Sequence, residues 1–237
     1  TPSNSSAASD VYKRQLKGNM GRSGLFSCER SLAKWLIKAI EACELHPIKD
    51  IRSGDTIPKK LYEDILVQYF GSYAPMIMAR PDIVLIVEDS RRITDEWLLI
   101  AVELKYFKRI EEKRWREAYR ETGQPLRYYM NGFDSAVLWH VFNMEIDEDT
   151  IRAYSNVIGE AIEKLKLPIV YFSTKIIDES KFFVYKPVEL RSRSSDICYI
   201  VHWMVNCCRD YVRNPLLSHD KEIVERRKAL KVALGIP

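Results

Sequence analysis

The chain has 237 residues, 46% of them hydrophobic and 30% charged, with a formal net charge of +4. That is enough apolar material for one sizeable core, and one domain with additions is the natural expectation. It excludes a polybasic tail, so any polyanion must be held by local rather than global charge.

Five cysteines, Cys28, Cys43, Cys198, Cys207 and Cys208, are odd in number and irregular in spacing, which argues against a secreted disulfide framework. No uninterrupted apolar stretch reaches transmembrane length and no signal peptide precedes the domain, so a reducing cytoplasm with no membrane partner is expected. Three glutamines stand against 37 Lys plus Arg and 33 Asp plus Glu, a balance that leans towards a thermophilic source, archaeal or viral.

Residues 1–15 are rich in Ser, Ala and Asn without periodicity and read as a non-native or disordered tail, with Met20 as the start of the protein proper. Residues 16–57 read as an N-terminal helical segment. Within it, apolar positions 32, 35, 36, 39, 40 and 43 form a helical stripe over 29–45, stopped by His46-Pro47. Residues 52–56 read as a loop. Thr56 with Pro58 just inside predicts a second helix reaching about residue 70. Its solvent stripe is Lys60, Asp64 and Gln68, while Glu63 projects onto a mostly apolar part of the surface, between Val67 and Phe70.

Apolar, β-branched runs predict strands at 74–79, 83–88 and 97–106, with a polar hairpin over 88–96 between the last two. A charged helix follows over 108–120. From 105 to 120 there are seven basic residues against three acidic ones, with Trp115 and Tyr119 interleaved. Lys108, Arg109, Lys113 and Arg116, with Trp115 and the later Arg127, suit phosphate contacts beside a stacking aromatic. A solvated helix laced with Glu–Arg pairs is the bland alternative. Gly123 breaks the pattern, and 124–130 forms a short helix ended by Asn131-Gly132. Further elements are a strand at 136–142, a helix at 150–165, strands at 169–173 and 182–188, and two closing helices at 195–212 and 218–234. The core spans 58–190 and the C-terminal helices 191–237.

One constellation stands out. Glu103 and Lys105 interrupt an apolar strand and share one face, with Leu104 on the other. Asp82 opens the preceding strand after Pro81. Ionised groups in strand interiors are costly unless partnered or functional. Carboxylates placed there can hold a divalent cation while the lysine faces an anionic reactant. A buried Asp–Lys or Glu–Lys ion pair is the structural alternative.

Pro81-Asp82 followed by Glu103-Leu104-Lys105 resembles the PD-(D/E)xK nuclease superfamily, and Gln124-Pro-Leu-Arg-Tyr128 resembles the Q-xxx-Y element of its RecB-like branch. The resemblance covers roughly 58–142. It implies an α/β, restriction-endonuclease-like core of α-β-β-β-α-β order, a mixed sheet flanked by helices, here with additional strands and a helical C-terminus. It implies Mg²⁺ or Mn²⁺ held by Asp82, Glu103 and the Leu104 backbone carbonyl, with Glu63 joining from the preceding helix. Lys105 would be the charged catalyst, and Gln124 and Tyr128 would support the site. Glu63 reads equally well as a residue at the rim of the core.

The activity expected is hydrolysis of DNA phosphodiesters, with a second copy of the chain or accessory DNA-processing proteins as further partners. The alternative is a non-catalytic nucleic-acid-binding protein that retains the fold. An iron–sulfur cluster is not expected: Cys207 and Cys208 are adjacent, and with Cys198 they fall in one apolar helix pattern, as buried small hydrophobes. The four histidines show no zinc spacing, and no phosphate-binding loop or dinucleotide fingerprint is present.

Overall fold

The computed structural model describes residues 26–58, 60, 63–64, 67–68, 80–89, 97–110, 118–178, 180–188, 194–210 and 213–236. Among them are seven strands and five α-helices. In chain order these are α1 (Glu29–Glu41), β1 (Ile48–Ser53), β2 (Ile83–Glu88), β3 (Trp97–Phe107), α2 (Gly123–Met130), β4 (Ser135–Phe142) and α3 (Glu148–Lys164). They continue as β5 (Val170–Ile176), β6 (Lys181–Lys186), β7 (Ser194–Asp196), α4 (Ile197–Asp210) and α5 (Lys221–Ala233).

The strands form one mixed sheet in sequential order β1 to β7. β1, β2 and β3 are antiparallel, β3, β4 and β5 are parallel, and β6 and β7 return to antiparallel. Parallel neighbours cannot be joined by a tight hairpin. The two parallel steps are bridged by α2 and α3, which both lie on one face, as two successive crossovers of the same hand require. β3 and β4, at the centre, are almost wholly apolar because both of their faces are covered.

Alternation divides the core. Leu98, Ile100, Val102, Leu104 and Tyr106 of β3, with Val137, Trp139 and Val141 of β4, pack beneath α1 and α4. Leu99, Ala101 and Phe107, with Ala136, Leu138 and Phe142, face α2, α3 and α5. Glu103 and Lys105 belong to this second face by register. At the first turn of α1, the Cys28 N–H donates to Ser31 Oγ at 3.1 Å and the Ser31 N–H returns to the Cys28 carbonyl. α3 starts at an Asp147 cap that accepts from the Thr150 N–H.

Several boundaries differ from those the sequence predicts. β1 occupies residues predicted to lie between helices. Its Ile-Lys-Asp-Ile-Arg-Ser run is half-buried on the sheet edge, so charge dilutes the strand pattern. Residues 29–53 are therefore part of the core rather than an added N-terminal segment: β1 pairs with β2, and α1 packs on the sheet. The C-terminal region is not all helical, because β7 adds a three-residue strand before α4. A 3₁₀ turn at Pro215–Ser218 precedes α5, which begins at Lys221 rather than 218. The predicted strand at 74–79, the tail at 1–15 and most of the 88–96 hairpin lie outside the described residues. So does much of the predicted 56–70 helix, of which Lys60, Glu63, Asp64, Val67 and Gln68 are helical.

The cysteines also correct the sequence reading. Cys43, just beyond α1, and Cys198, in the first turn of α4, form a disulfide across 155 positions of sequence. Cys28 is exposed, Cys207 half-buried and Cys208 buried, so only Cys208 matches the buried-hydrophobe reading fully. Their distant partnership leaves no trace in sequence spacing.

Candidate metal and phosphate site

β2 ends early relative to β3. Its pairing stops at Ile83 opposite Val102, so the edge of β3 beyond Val102 is free of β2 backbone. Asp82 sits in that gap, and its Oδ2 accepts the Leu104 N–H at 2.8 Å. A residue in an extended strand sends its N–H and C=O from the same edge, so the Leu104 carbonyl opens towards Asp82 as well. The segment is held from behind by Gly54, whose N–H donates to the Asp82 carbonyl at 3.4 Å. A Cβ on Gly54 would lie 1.8 Å from the Pro81 carbonyl oxygen, so only glycine permits this approach.

Glu103 is 3% exposed and engaged at both oxygens. Oε1 accepts from the Lys105 ammonium at 2.6 Å, and Oε2 accepts the Tyr128 hydroxyl, which reaches across from α2. The same hydroxyl lies 3.3 Å from the Arg80 carbonyl. Lys105 also lies 3.8 Å from Glu29, in the first turn of α1. A lysine, a tyrosine and three carboxylates thus meet at one end of the sheet.

Their electrostatics are strained in one direction. Burial pushes the Asp82 carboxyl up to about 7 from 3.8, and the charges of Glu103 and Glu29 add to the rise. Burial opposes the charge on Lys105, but adjacent Glu103 overcomes it and the ammonium is held above its ordinary value. Burial and then the Glu103 charge push the Tyr128 phenol up, so it stays a donor. A buried Asp82 whose ionisation is made costlier by the neighbouring Glu103 and Glu29 charges is what a divalent cation relieves. Asp82, Glu103 and the Leu104 carbonyl therefore fit a hard cation by donor type. Among the described residues, no group of three or more His, Cys, Asp or Glu side chains is already gathered as a metal cage.

Around this end lies a pocket of about 670 Å³. Its walls include Asp82, Glu29 and Arg80, with Lys108 and Arg109 from beyond β3 and Lys34 from α1. Lys108 and Arg109 are exposed. Arg127 is exposed in the last turn of α2, close enough to lower the Tyr128 phenol slightly against the larger effects that raise it. Lys113, Trp115 and Arg116 lie outside the described residues.

The two residues of the Gln124–Tyr128 element are placed differently from each other. Gln124 is exposed in the first turn of α2, and no hydrogen bond joins it to Asp82 or Glu103, whereas Tyr128 one turn later is buried and does reach Glu103. Glu63 is half-buried and, like Glu103 and Lys105, is not among the residues that line the pocket. The helical carboxylate beside Lys105 belongs to Glu29. The acidic first turn of the 29–45 stripe is its signal in the sequence, and the packing of α1 on the sheet is what brings it to Lys105. His140, in register with Lys105 on the next strand, is fully buried, with the Glu121 carboxylate 2.9 Å from Nε2 and the Tyr171 hydroxyl 3.1 Å from Nδ1. Burial holds its imidazole below the usual range.

No protein-family model, curated protein or solved structure matches the chain. Among the described residues, no helix is long and apolar enough to cross a membrane.

Proposed function

We propose that this protein is a divalent-metal-dependent nuclease that hydrolyses DNA phosphodiesters, built on a restriction-endonuclease-like core. The observation that carries the reading is the gap beyond β2. There Asp82 is tied to the Leu104 N–H while Glu103 and Lys105, flanking Leu104, lie on one face of β3. The element order α1-β1-β2-β3-α2-β4, with an antiparallel meander and β4 parallel to β3, supports the fold assignment.

Mg²⁺ or Mn²⁺ held by Asp82, Glu103 and the Leu104 carbonyl would supply charge neutralisation and a water of lowered pKa. The remaining work falls to side chains. Lys105 presents a fixed positive charge to the phosphate oxygens. Tyr128 holds Glu103 in orientation from α2, and Glu29 holds the Lys105 ammonium from the α1 side. Lys108 and Arg109 are placed to steer the polyanion towards this end of the sheet.

The second reading, a non-catalytic nucleic-acid-binding protein of the same fold, draws on one feature. Both Glu103 oxygens are already satisfied within the protein, as in a structural ion pair. Incubation of the full chain with linear, branched and circular DNA in Mg²⁺ and in Mn²⁺ separates the two. A cytoplasmic location goes with the nuclease reading. One intramolecular disulfide is compatible with it in a thermophile, where intracellular disulfides are frequent.

A further inference from the structure

The pocket beside the carboxylates contains a cation that no part of the chemistry above uses. Arg80 is fixed at its backbone, since its carbonyl lies 3.3 Å from the Tyr128 hydroxyl and it directly precedes Pro81-Asp82. Arg80 lines the pocket, and its Nη2 is buried behind that wall with no hydrogen-bond partner among the described residues. A buried charged donor left unpaired is costly, because it has lost water and gained nothing. Arg109, Lys108, Lys34 and Arg30 share the wall. Arg30 is partly neutralised by Asp55 at 2.7 Å. The first turn of α1 faces the same space, adding the positive end of its dipole.

Deepening the nuclease reading and resting on it, we propose that this pocket is a phosphate subsite in which the Arg80 guanidinium seats a nucleic-acid phosphate other than the one being cleaved. A guanidinium fork matches two phosphate oxygens, and turning the Arg80 side chain into the pocket gives its unpaired nitrogen the oxyanion partner it lacks. The phosphate comes either from a strand end, as a monoester, or from within the strand, as a diester. The pocket volume lies in the range of sites that enclose a small ligand, enough for a nucleotide and too small for a duplex.

Two measurements on the full chain test this without relying on cleavage. The first is thermal melting in inorganic phosphate against chloride at matched ionic strength. The second is equilibrium binding, in Ca²⁺, of single-stranded oligonucleotides with a 5′-phosphate, a 3′-phosphate or hydroxyls at both ends. The wild type is expected to melt higher in phosphate. Arg80→Gln should lose that shift and bind at least about tenfold more weakly. Lys34→Gln, at an exposed position that does not threaten folding, should reduce both several-fold. A loss confined to one end-phosphorylated oligonucleotide assigns the subsite to a strand terminus; an equal loss for all three assigns it to an internal phosphate. Wild-type binding in both variants, with no phosphate effect on melting, overturns the proposal. Absence of cleavage by the wild type in Mg²⁺ or Mn²⁺ would instead remove the nuclease reading and leave the anion-binding result standing.

Discussion

Glu29, in the first turn of α1, lies 3.8 Å from the ammonium of Lys105 on β3. The contact joins the N-terminal helix to the strand that carries the acidic and basic pair. Glu29 is 42% exposed, so the contact adds little to folding. Its consequence is positional: with Glu103, it brackets Lys105 between two carboxylates. Glu29→Gln should melt within about 0.5 kcal/mol of the wild type in chelator, because surface pairs contribute little. Metal at about ten times its Kd should stabilise the wild type by roughly 1.4 kcal/mol. That corresponds to a melting shift of about 3–6 °C for a chain of this size. The variant should show a smaller shift at the same concentration. An equal shift in both proteins would remove Glu29 from the site.

Asp82 makes stability depend on pH with a definite sign. Its carboxyl is raised from 3.8 to about 7, so the folded state holds the proton more tightly than the unfolded chain. The stability this gives is fully present below pH 3.8 and is lost as pH rises to about 7. Asp82→Asn keeps an acceptor for the Leu104 N–H and removes the charge. It should match the wild type near pH 4 and exceed it at pH 8, by up to about 4 kcal/mol on the linkage relation. Solvent relaxation would reduce that figure. Urea melts across this range read the difference directly. A variant less stable than the wild type at pH 8 would make Asp82 a structural ion-pair partner.

Tyr128 spans from α2 to Glu103, and its loss should be felt in both stability and function. Tyr128→Phe leaves a buried carboxylate oxygen without its donor, at a cost of about 1–3 kcal/mol. Nuclease activity should fall further than that destabilisation explains, because Glu103 loses its orientation. Activity restored fully at low temperature, where the variant is folded, would mean that Tyr128 only stabilises.

The Cys43–Cys198 disulfide closes a long loop and fixes the end of α1 to the start of α4. Chain entropy alone assigns a loop of this size about 4–5 kcal/mol, an upper figure. Reduction, or Cys43→Ser with Cys198→Ser, should therefore lower the melting temperature. Cys207→Ser should not. Equal melts in oxidised and reduced buffer would show that the bond does not form in solution.

The centre of the sheet was legible in the sequence. β2, β3 and β4 are long apolar runs, and the interruption of one of them by Glu103 and Lys105 is a signal that composition cannot produce on a solvated surface. The shared face of those two residues followed from strand alternation alone. The edge was harder. β1 is short and charged, and its pairing with β2 depends on contacts far away in sequence. Glu29 is hidden for the same reason, because its approach to Lys105 exists only once α1 is packed against the end of β3. The close approach of Gly54 to Pro81 was similarly hidden: a glycine in a polar turn looks alike whether it frees the backbone or admits another chain segment. Gln124 and Tyr128 appeared equivalent at one-turn spacing, but the burial of one helix face separated them.

The central claim is that Asp82, Glu103 and Lys105 form a metal-dependent phosphodiesterase centre. Its most direct test is the cleavage of linear, branched and circular DNA in Mg²⁺ and Mn²⁺ by the wild type, Asp82→Ala and Lys105→Ala, with binding measured in parallel in Ca²⁺. The account predicts metal-dependent cleavage by the wild type and none by either variant, while both still bind DNA. Undiminished cleavage by Asp82→Ala, or a wild type that binds DNA and never cuts it in either metal, would contradict it.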